Sequence, residues 1–339
     1  MLSQEVEEVL AENLVKRITE TNTYILNKIG NSIKIISTLT PSQAYQIGNI
    51  LKYGGTYNEI AKELARVSGK NVQDIYKIFE EVAKNNKQFA KQFYKYRGID
   101  YIPYKKDIAL QNMVKSLASI TADMYRNISN TSVIGFIQDG TFKQLQQVYQ
   151  DTIDKAILSI SQGKQDFYSS MRQTLKELGG SGLVQYESGR TRRLDSAVRM
   201  NILDGMRALN NETSRRFGEE YNANGIEISV HAHPAPDHAD IQGRQFSIEE
   251  YDKLENGDVA TDYQGNKYDG ADKRHIGEYN CYHKIFSIVL GVSKPEYTDK
   301  QLNDIRESNL SGFEFEGKHY TMYERNTITK ANRTKYKKS

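Results

Sequence analysis

Apolar residues in the first 220 positions recur at helical spacing, and this periodicity limits most of the chain to packed helices. Val6, Leu10, Leu14 and Ile18 stand four apart, and Ile25 and Ile29 extend the stripe. Thr40-Pro41-Ser42-Gln43 has the chemistry of a helix start: a capping hydroxyl, a proline where no N–H is needed, and a glutamine able to reach back. Gly54-Gly55 should end that helix. Thr56-Tyr57-Asn58-Glu59 opens another, through Ile60 and Leu64, that the sequence ends near Gly69. A third, from about Val72, carries Ile75, Phe79 and Val82. Short helices so closely spaced predict a compact bundle. Met113, Leu117, Ile120 and Met124 read as core, as do Leu145, Val148, Ile153, Ile157 and Ile160.

Two segments in this region concentrate positive charge. Phe89 to Tyr104 interleaves six aromatic rings with Lys87, Lys91, Lys95, Arg97, Lys105 and Lys106. Such a mixture can stack bases and pair phosphates, but with no recognisable nucleic-acid module around the segment, rings packed inward under snorkelling cations are the favoured reading. After the candidate linker Gly179-Gly180-Ser181-Gly182, a long helix carries Arg190, Arg192, Arg193, Arg199, Arg207, Arg215 and Arg216 with few acids between them. That pattern predicts a basic face for phosphate or for an acidic protein surface. The total, 46 Lys+Arg against 43 Asp+Glu, gives only +3, so basic patches must be local. No apolar run approaches the roughly 18 residues of a membrane span, and the start of the chain lacks a secretory pattern, which predicts a protein made in a reducing cytoplasm.

The character changes at Asn224-Gly225. Ile226, Ile228 and Val230 alternate with Glu227 and Ser229, the period of a half-buried strand, and Phe246 and Phe286 to Leu290 mark two further apolar segments. The expected fold class is therefore α+β: a helical region over 1–180, a basic connecting helix over 181–224, a small α+β domain over 225–320 and a basic tail over 321–339. The tail ends with Lys335, Lys337 and Lys338 and has no acid among its last ten residues, a pattern able to touch nucleic acid or an acidic partner.

All six His and the single Cys lie after residue 230, in this small domain. His231, His233 and His238 follow the first strand, and Cys281 and His283 come about forty residues later. Two ligand pairs joined by a loop are how structural zinc sites are commonly built, so His233, His238, Cys281 and His283 form the candidate set, with His231 a substitute. The alternative is that these imidazoles cap turns and bind backbone carbonyls. A catalytic arrangement, with metal-bound water at His231, His233 and His238, is a further reading. It resembles the H-x-H-x-D-H motif of metallo-β-lactamase-type hydrolases, but two extra residues separate His233 from Asp237.

Ordered pieces between about 188 and 297 resemble a viral family. Ser188-Gly189-Arg190-Thr191-Arg192-Arg193-Leu194-Asp195 is the first, and His233-Pro234-Ala235-Pro236-Asp237-His238 with Gln242-Gly243-Arg244 the second. Arg274-His275-Ile276-Gly277, Asn280-Cys281-Tyr282-His283 and Leu290-Gly291-Val292-Ser293-Lys294-Pro295 complete the set. Together they are similar to the minor capsid protein 2 family of tailed bacteriophages, and to the related Mu-F-like head morphogenesis proteins. The resemblance implies a low-copy virion protein at the portal vertex or inner capsid, active in head assembly or in DNA packaging or ejection. It implies portal protein, major capsid protein or packaged DNA as partners, and no demonstrated enzyme. In the Mu-F-like pattern, Cys pairs occupy positions comparable to His233/His238 and Cys281/His283, which adds to the expectation of a structural zinc. An independent nucleic-acid-binding protein using 87–106 and the tail is the other reading.

Overall fold

The computed structural model describes residues 4–53, 55–138, 140–161, 178, 182–186, 188–278, 281–315 and 317–325. The fold is α+β, with long helices first and short strands gathered toward the C-terminus. Its elements are α1 (Gln4–Ser37), α2 (Pro41–Tyr53), α3 (Gly55–Arg97), α4 (Ile108–Ile128), β1 (Ile134–Gln138), β2 (Thr141–Gln144), α5 (Leu145–Ser161), β3 (Leu183–Gln185), β4 (Thr191–Arg193) and α6 (Leu194–Glu220). There follow β5 (Gly225–Ile228), β6 (Gln245–Ser247), α7 (Ile248–Glu255), β7 (Val259–Thr261), β8 (Lys267–Asp269), β9 (Ile285–Ile288), α8 (Asp299–Ser311), β10 (Phe313–Phe315) and β11 (Lys318–Tyr320).

Contacts gather the chain into two compact units that interleave in sequence: Ser3–Glu81 with Asn112–Gly205, and Val82–Gln111 with the chain from Met206 onward. The grouping thus pairs early with late segments, where the sequence suggested successive blocks 1–180, 181–224 and 225–320.

The first unit is built on α1, whose buried stripe runs Ala11, Leu14, Ile18, Ile25, Ile29, Ile33 and Ile36, the 3.6-residue period of a helix buried on one face. It packs on α2 and α5. The helix starting at Gly55 does not end near Gly69: α3 runs unbroken to Arg97. A mid-helix glycine costs only about 1 kcal/mol, and the buried Leu64, Val67, Ile75 and Phe79 hold the helix on both sides of it. The expected cluster of short helices is therefore replaced by helices of 34 and 43 residues. On α4, too, the stripe of Met113, Leu117, Ile120 and Met124 is not the core face, since Ile120 and Met124 are more than half exposed. Val114, Ala118, Ala122 and Tyr125 are buried instead. Small residues win this face because α6 comes close: a Cβ at Gly205 would lie 2.3 Å from Thr121 Oγ1 and 2.8 Å from Phe79 Cζ. Gly205→Ala should accordingly destabilise by about 1–3 kcal/mol despite alanine's better helix propensity. Thermal melts should find the loss largely recovered in the Gly205→Ala/Thr121→Ala double variant.

This unit also contains an antiparallel sheet in the order β2-β1-β3-β4. The helical reading of the first 220 residues omitted it.

The second unit holds a three-stranded antiparallel sheet, β6-β5-β9, with Ile226 opposite Phe246 on one side and Ser287 on the other. β5 is buried along its whole length, Glu227 included, where alternation predicted a half-exposed strand. Ile226, Ile228, Ile241, Phe246, Tyr251, Leu254, Ala260, Ile276 and Ile285 form its core. Ser247 caps α7 by accepting a hydrogen bond from Glu250 N–H, and Thr298 with Gln301 closes a capping box on α8. Among the described residues no helix is long and apolar enough to cross a membrane.

A candidate metal centre

The sheet of the second unit delivers histidines from two strand ends to one place. β5 and β9 pair up to Ile228 opposite Ile285, and the ladder continues as Ser229 N–H donates to Lys284 O at 2.9 Å. His231 and His283 therefore leave adjacent strands side by side, with ring centroids 4.5 Å apart. His238 reaches the same place from the turn that follows, where its N–H donates to Ala235 O at 3.0 Å. Cys281 arrives through a second turn, its N–H donating to Glu278 O at 2.7 Å.

Three ligand atoms converge. His238, Cys281 and His283 are all buried and each offers an atom within 4.8 Å of the others. Cys281 Sγ stands 3.4 Å from His238 Nδ1 and 3.6 Å from His283 Nδ1. A tetrahedral zinc with ordinary Zn–S and Zn–N bonds separates sulfur from nitrogen by about 3.6 Å, so these spacings fit such an ion with little movement. The opposite edges of both rings are held. His238 Nε2 lies 2.7 Å from Arg274 O and His283 Nε2 lies 3.3 Å from Gln242 Oε1. Carbonyl oxygens only accept, so each Nε2 is the N–H and each Nδ1 lone pair faces the thiol, as a metal ligand requires. His231 sits beside this group with its Nε2 buried and no hydrogen-bond partner.

The electrostatics follow from burial. Burial first, then the nearby charges of Arg207, Lys284 and His238, bring His231 down to about 4 against a backbone hydrogen bond at Tyr282. His283 falls well below the usual imidazole value because it is buried and faces His231, His238 and Arg274. Burial opposes charge on both His238 and Cys281, yet their mutual hydrogen bond, with backbone help, raises the imidazole and lowers the thiol. A thiolate beside neutral imidazoles is the donor set zinc takes.

The sequence-predicted ligands divide accordingly. His238, Cys281 and His283 come together, whereas His233 is exposed and is not one of the group. Pro234 and Pro236 flank Ala235 in the turn that buries His238, and His233 is left on the outer side of it. A three-histidine water site of His231, His233 and His238 is not assembled for the same reason.

Three supporting residues escaped the sequence reading. Gln242 Oε1 accepts from the His231 backbone N–H at 2.8 Å as well as facing His283 Nε2, so one side chain braces the His231 backbone and the His283 ring. Arg274 supplies the carbonyl for His238, and its guanidinium grips Asp237 at 2.6 and 3.0 Å. Asn211, on α6, donates to Ile276 O at 3.3 Å and accepts from Ile285 N–H at 3.1 Å, pinning the chain on both sides of Cys281 and His283. Gly277 makes that contact feasible. Its φ is +92°, and a Cβ there would stand 2.4 Å from Asn211 Nδ2. Gln242, Arg274 and Gly277 lie inside the quoted motifs; only their roles were illegible.

The expected basic surfaces are largely neutralised. Arg199 binds Glu8 and Glu12, Arg193 binds Asp195, and Arg216 binds Asp107 and Glu220. Arg215 faces Asp252, and Arg207 is buried 4.4 Å over the Tyr282 ring. Arg190 is exposed, and Arg192 is half-buried in β4. The stretch of sequence misled because Glu8, Glu12, Asp107 and Asp252 come from other elements, while Asp195 and Glu220 add local partners. In the 87–106 segment, Lys87 and Tyr94 are buried and Phe93 stacks on Tyr221 at 5.1 Å, whereas Phe89 and Tyr96 are exposed, so the rings are only partly turned inward. Lys91 and Lys95 are exposed, and Arg97 donates to Asn222 O at 2.9 Å. Lys335, Lys337 and Lys338 lie outside the described residues.

A family profile described as Phage minor capsid protein 2 matches residues 4–334, nearly the whole chain. The chain belongs to this family. It is a structural protein of a phage virion, and its partners are capsid proteins. No curated protein and no solved structure shows significant similarity to it. The match extends through the helical first 180 residues, where the sequence offered no motif.

Proposed function

We propose that this minor capsid protein is a low-copy component of the portal vertex or inner capsid, acting in head morphogenesis or in DNA packaging or ejection. Portal or major capsid protein would be its principal contact. A structural zinc would be held by His238, Cys281 and His283, with His231 as the fourth ligand in place of His233. The observation that supports the virion role is the family match over 4–334. The convergence of three buried ligand atoms from two chain segments supports the zinc. When bound, the ion would join the end of β5 to the approach to β9, stapling together the two strands that carry Ile228 and Ile285 of the core. His238 and His283 hold their outer protons on Arg274 O and Gln242 Oε1, and Cys281 must surrender its proton.

Quantitative mass spectrometry of purified particles tests the placement. The protein should be present at far fewer copies than the major capsid protein, and cross-linking before digestion should join it to portal peptides. Absence from mature heads, or copy numbers matching the major capsid protein, would refute the reading.

A further inference from the structure

Two adjoining cavities flank Arg244, and the first shares Gln242 with the histidine cluster. One, of about 300 Å³, lies among Asp240, Asn266, Tyr268, Asn303 and Arg306. The other, of about 430 Å³, lies among Tyr263, Val292, Lys294, Pro295 and Tyr297. Arg244, Asp299 and Leu302 line both, and each cavity is of a size that holds a small ligand or a few residues of a peptide.

The charges in this cleft are unevenly committed. Asp240 accepts from Lys273 at 2.8 and 2.9 Å. Asp262 accepts from Gln264 and Asn266 N–H, from the Asn266 amide and from Tyr268 OH, all within 3.0 Å. Asp299 is bound by Arg244. All three acids are therefore satisfied within the chain. The cations are not. Lys294 and Arg306 are exposed and make no hydrogen bond or ion pair among the described residues. Arg244 Nη1 serves Asp299 and Gln264, but its Nε is buried without an acceptor. A buried donor left unmade costs about 1–3 kcal/mol, and the Nε–Nη2 edge of a guanidinium is a two-pronged carboxylate receptor.

We propose that this cleft binds a short acidic peptide segment of another protein. A carboxylate would lie against the Arg244 guanidinium beside the exposed Lys294 and Arg306, with apolar or aromatic neighbours against Tyr263, Val292, Pro295 and Tyr297. The apolar walls favour peptide over nucleic acid. Tyr263 and Val292 are 57% and 49% exposed, and aromatic residues beside arginine are the composition of protein interfaces. A nucleic-acid groove would line up free cations, whereas here three carboxylates share the walls. The proposal does not depend on the zinc.

The test is ¹H–¹⁵N NMR of the full chain, reading the Arg244 Nε–H and the amides of Gln264 and Lys294. Ac-Leu-Asp-Tyr-NH₂ should shift all three saturably, with a dissociation constant of about 1 mM, near −4 kcal/mol. Ac-Leu-Asn-Tyr-NH₂ should bind at least about tenfold more weakly, the difference expected when a charge-assisted pair is lost. Arg306→Ala and Lys294→Ala, both exposed, should keep the spectrum and weaken binding severalfold. Arg244→Lys should abolish the carboxylate preference while the chain's other amides stay in place. No saturable shift would overturn the proposal. So would inorganic phosphate or acetate shifting Arg244 as strongly as the peptide, since the apolar walls would then contribute nothing. A short DNA duplex binding more tightly at low salt would transfer the cleft to nucleic acid.

Discussion

With the proposed zinc at His238, Cys281 and His283, Cys281→Ser should abolish metal binding and remove much of the stability of the second unit. Metal analysis of the purified wild-type chain should find about one zinc, and Cys281→Ser close to none. Binding of a structural zinc stands against unfolding by several kcal/mol or more, so the melting temperature should fall by about 10 °C or more. A strong chelator should produce the same fall in the wild type and almost none in the variant. His233→Ala is the decisive companion: it should leave both zinc and melting temperature unchanged, because His233 is exposed outside the buried group. His231→Ala should weaken zinc binding, because its buried Nε2 has no partner and its ring lies 4.5 Å from that of His283. A metal-free wild type with Cys281→Ser unchanged would leave the cluster as three imidazoles packed on a thiol.

Serine tests the ligand itself because it nearly matches cysteine in size. Cys281 is buried, so Cys281→Ala would mix a cavity cost with the loss of metal. The supporting shell gives an intermediate case. Gln242→Leu removes the acceptor for His283 Nε2–H and for His231 N–H while keeping the volume. Outer partners of this kind usually contribute about 10–100-fold in metal affinity. Zinc should then survive purification but be lost to a weaker chelator than the wild type withstands.

How far the sequence disclosed this site depended on which signals are local. The strand before His231, the late clustering of His and Cys and the α+β class are visible because hydrophobic period and residue type can be read in a window. The choice between His231 and His233 was not local. It is set by the pairing of Ser229 with Lys284 and by the turn that buries His238, neither of which a one-dimensional pattern specifies. The neutralising of Arg199 is likewise not local: Glu8 and Glu12 meet it from 187 or more residues away in sequence. Gly69 was read as a stop because propensity is local, while the packing that overrides it comes from other helices. The β1–β2 hairpin did have a local signal. Ile134 and Phe136 alternate ahead of Asp139-Gly140, a hairpin-turn dipeptide, and the helical expectation on both sides obscured it.

Lys87→Met should be the most destabilising exchange outside the histidine cluster. Lys87 is 1% exposed, with its Nζ 3.1 Å from Asp107 Oδ2, 3.1 Å from Glu220 Oε2 and 3.2 Å from Tyr94 OH. Arg216 binds both carboxylates from the other side, at 2.7 and 2.9 Å. Two cations thus balance two anions. Methionine matches the stem of Lys87 but leaves Asp107, also buried, with one cation fewer. Breaking one arm of a buried pair costs about 3–5 kcal/mol, less here to the extent that the partly exposed Glu220 is solvated, for a melting temperature lower by about 10 °C. Lys87→Met/Asp107→Asn should lose less than the sum of its single variants, since each removes the other's unpaired partner. The acid limb gives a second readout. Burial pushes both carboxyls up, but hydrogen bonds and neighbouring cations outweigh it and hold Asp107 and Glu220 below their ordinary values of 3.8 and 4.5. A group lowered on folding stabilises fully above its unfolded value and loses that stabilisation as pH falls through the folded one. Wild-type stability should therefore fall from about pH 4.5 downward, and the fall should be shallower in Lys87→Met, where one stabiliser of the charged carboxyls is gone. Equal acid slopes in the two proteins would mean that Lys87 contributes packing rather than charge to this cluster.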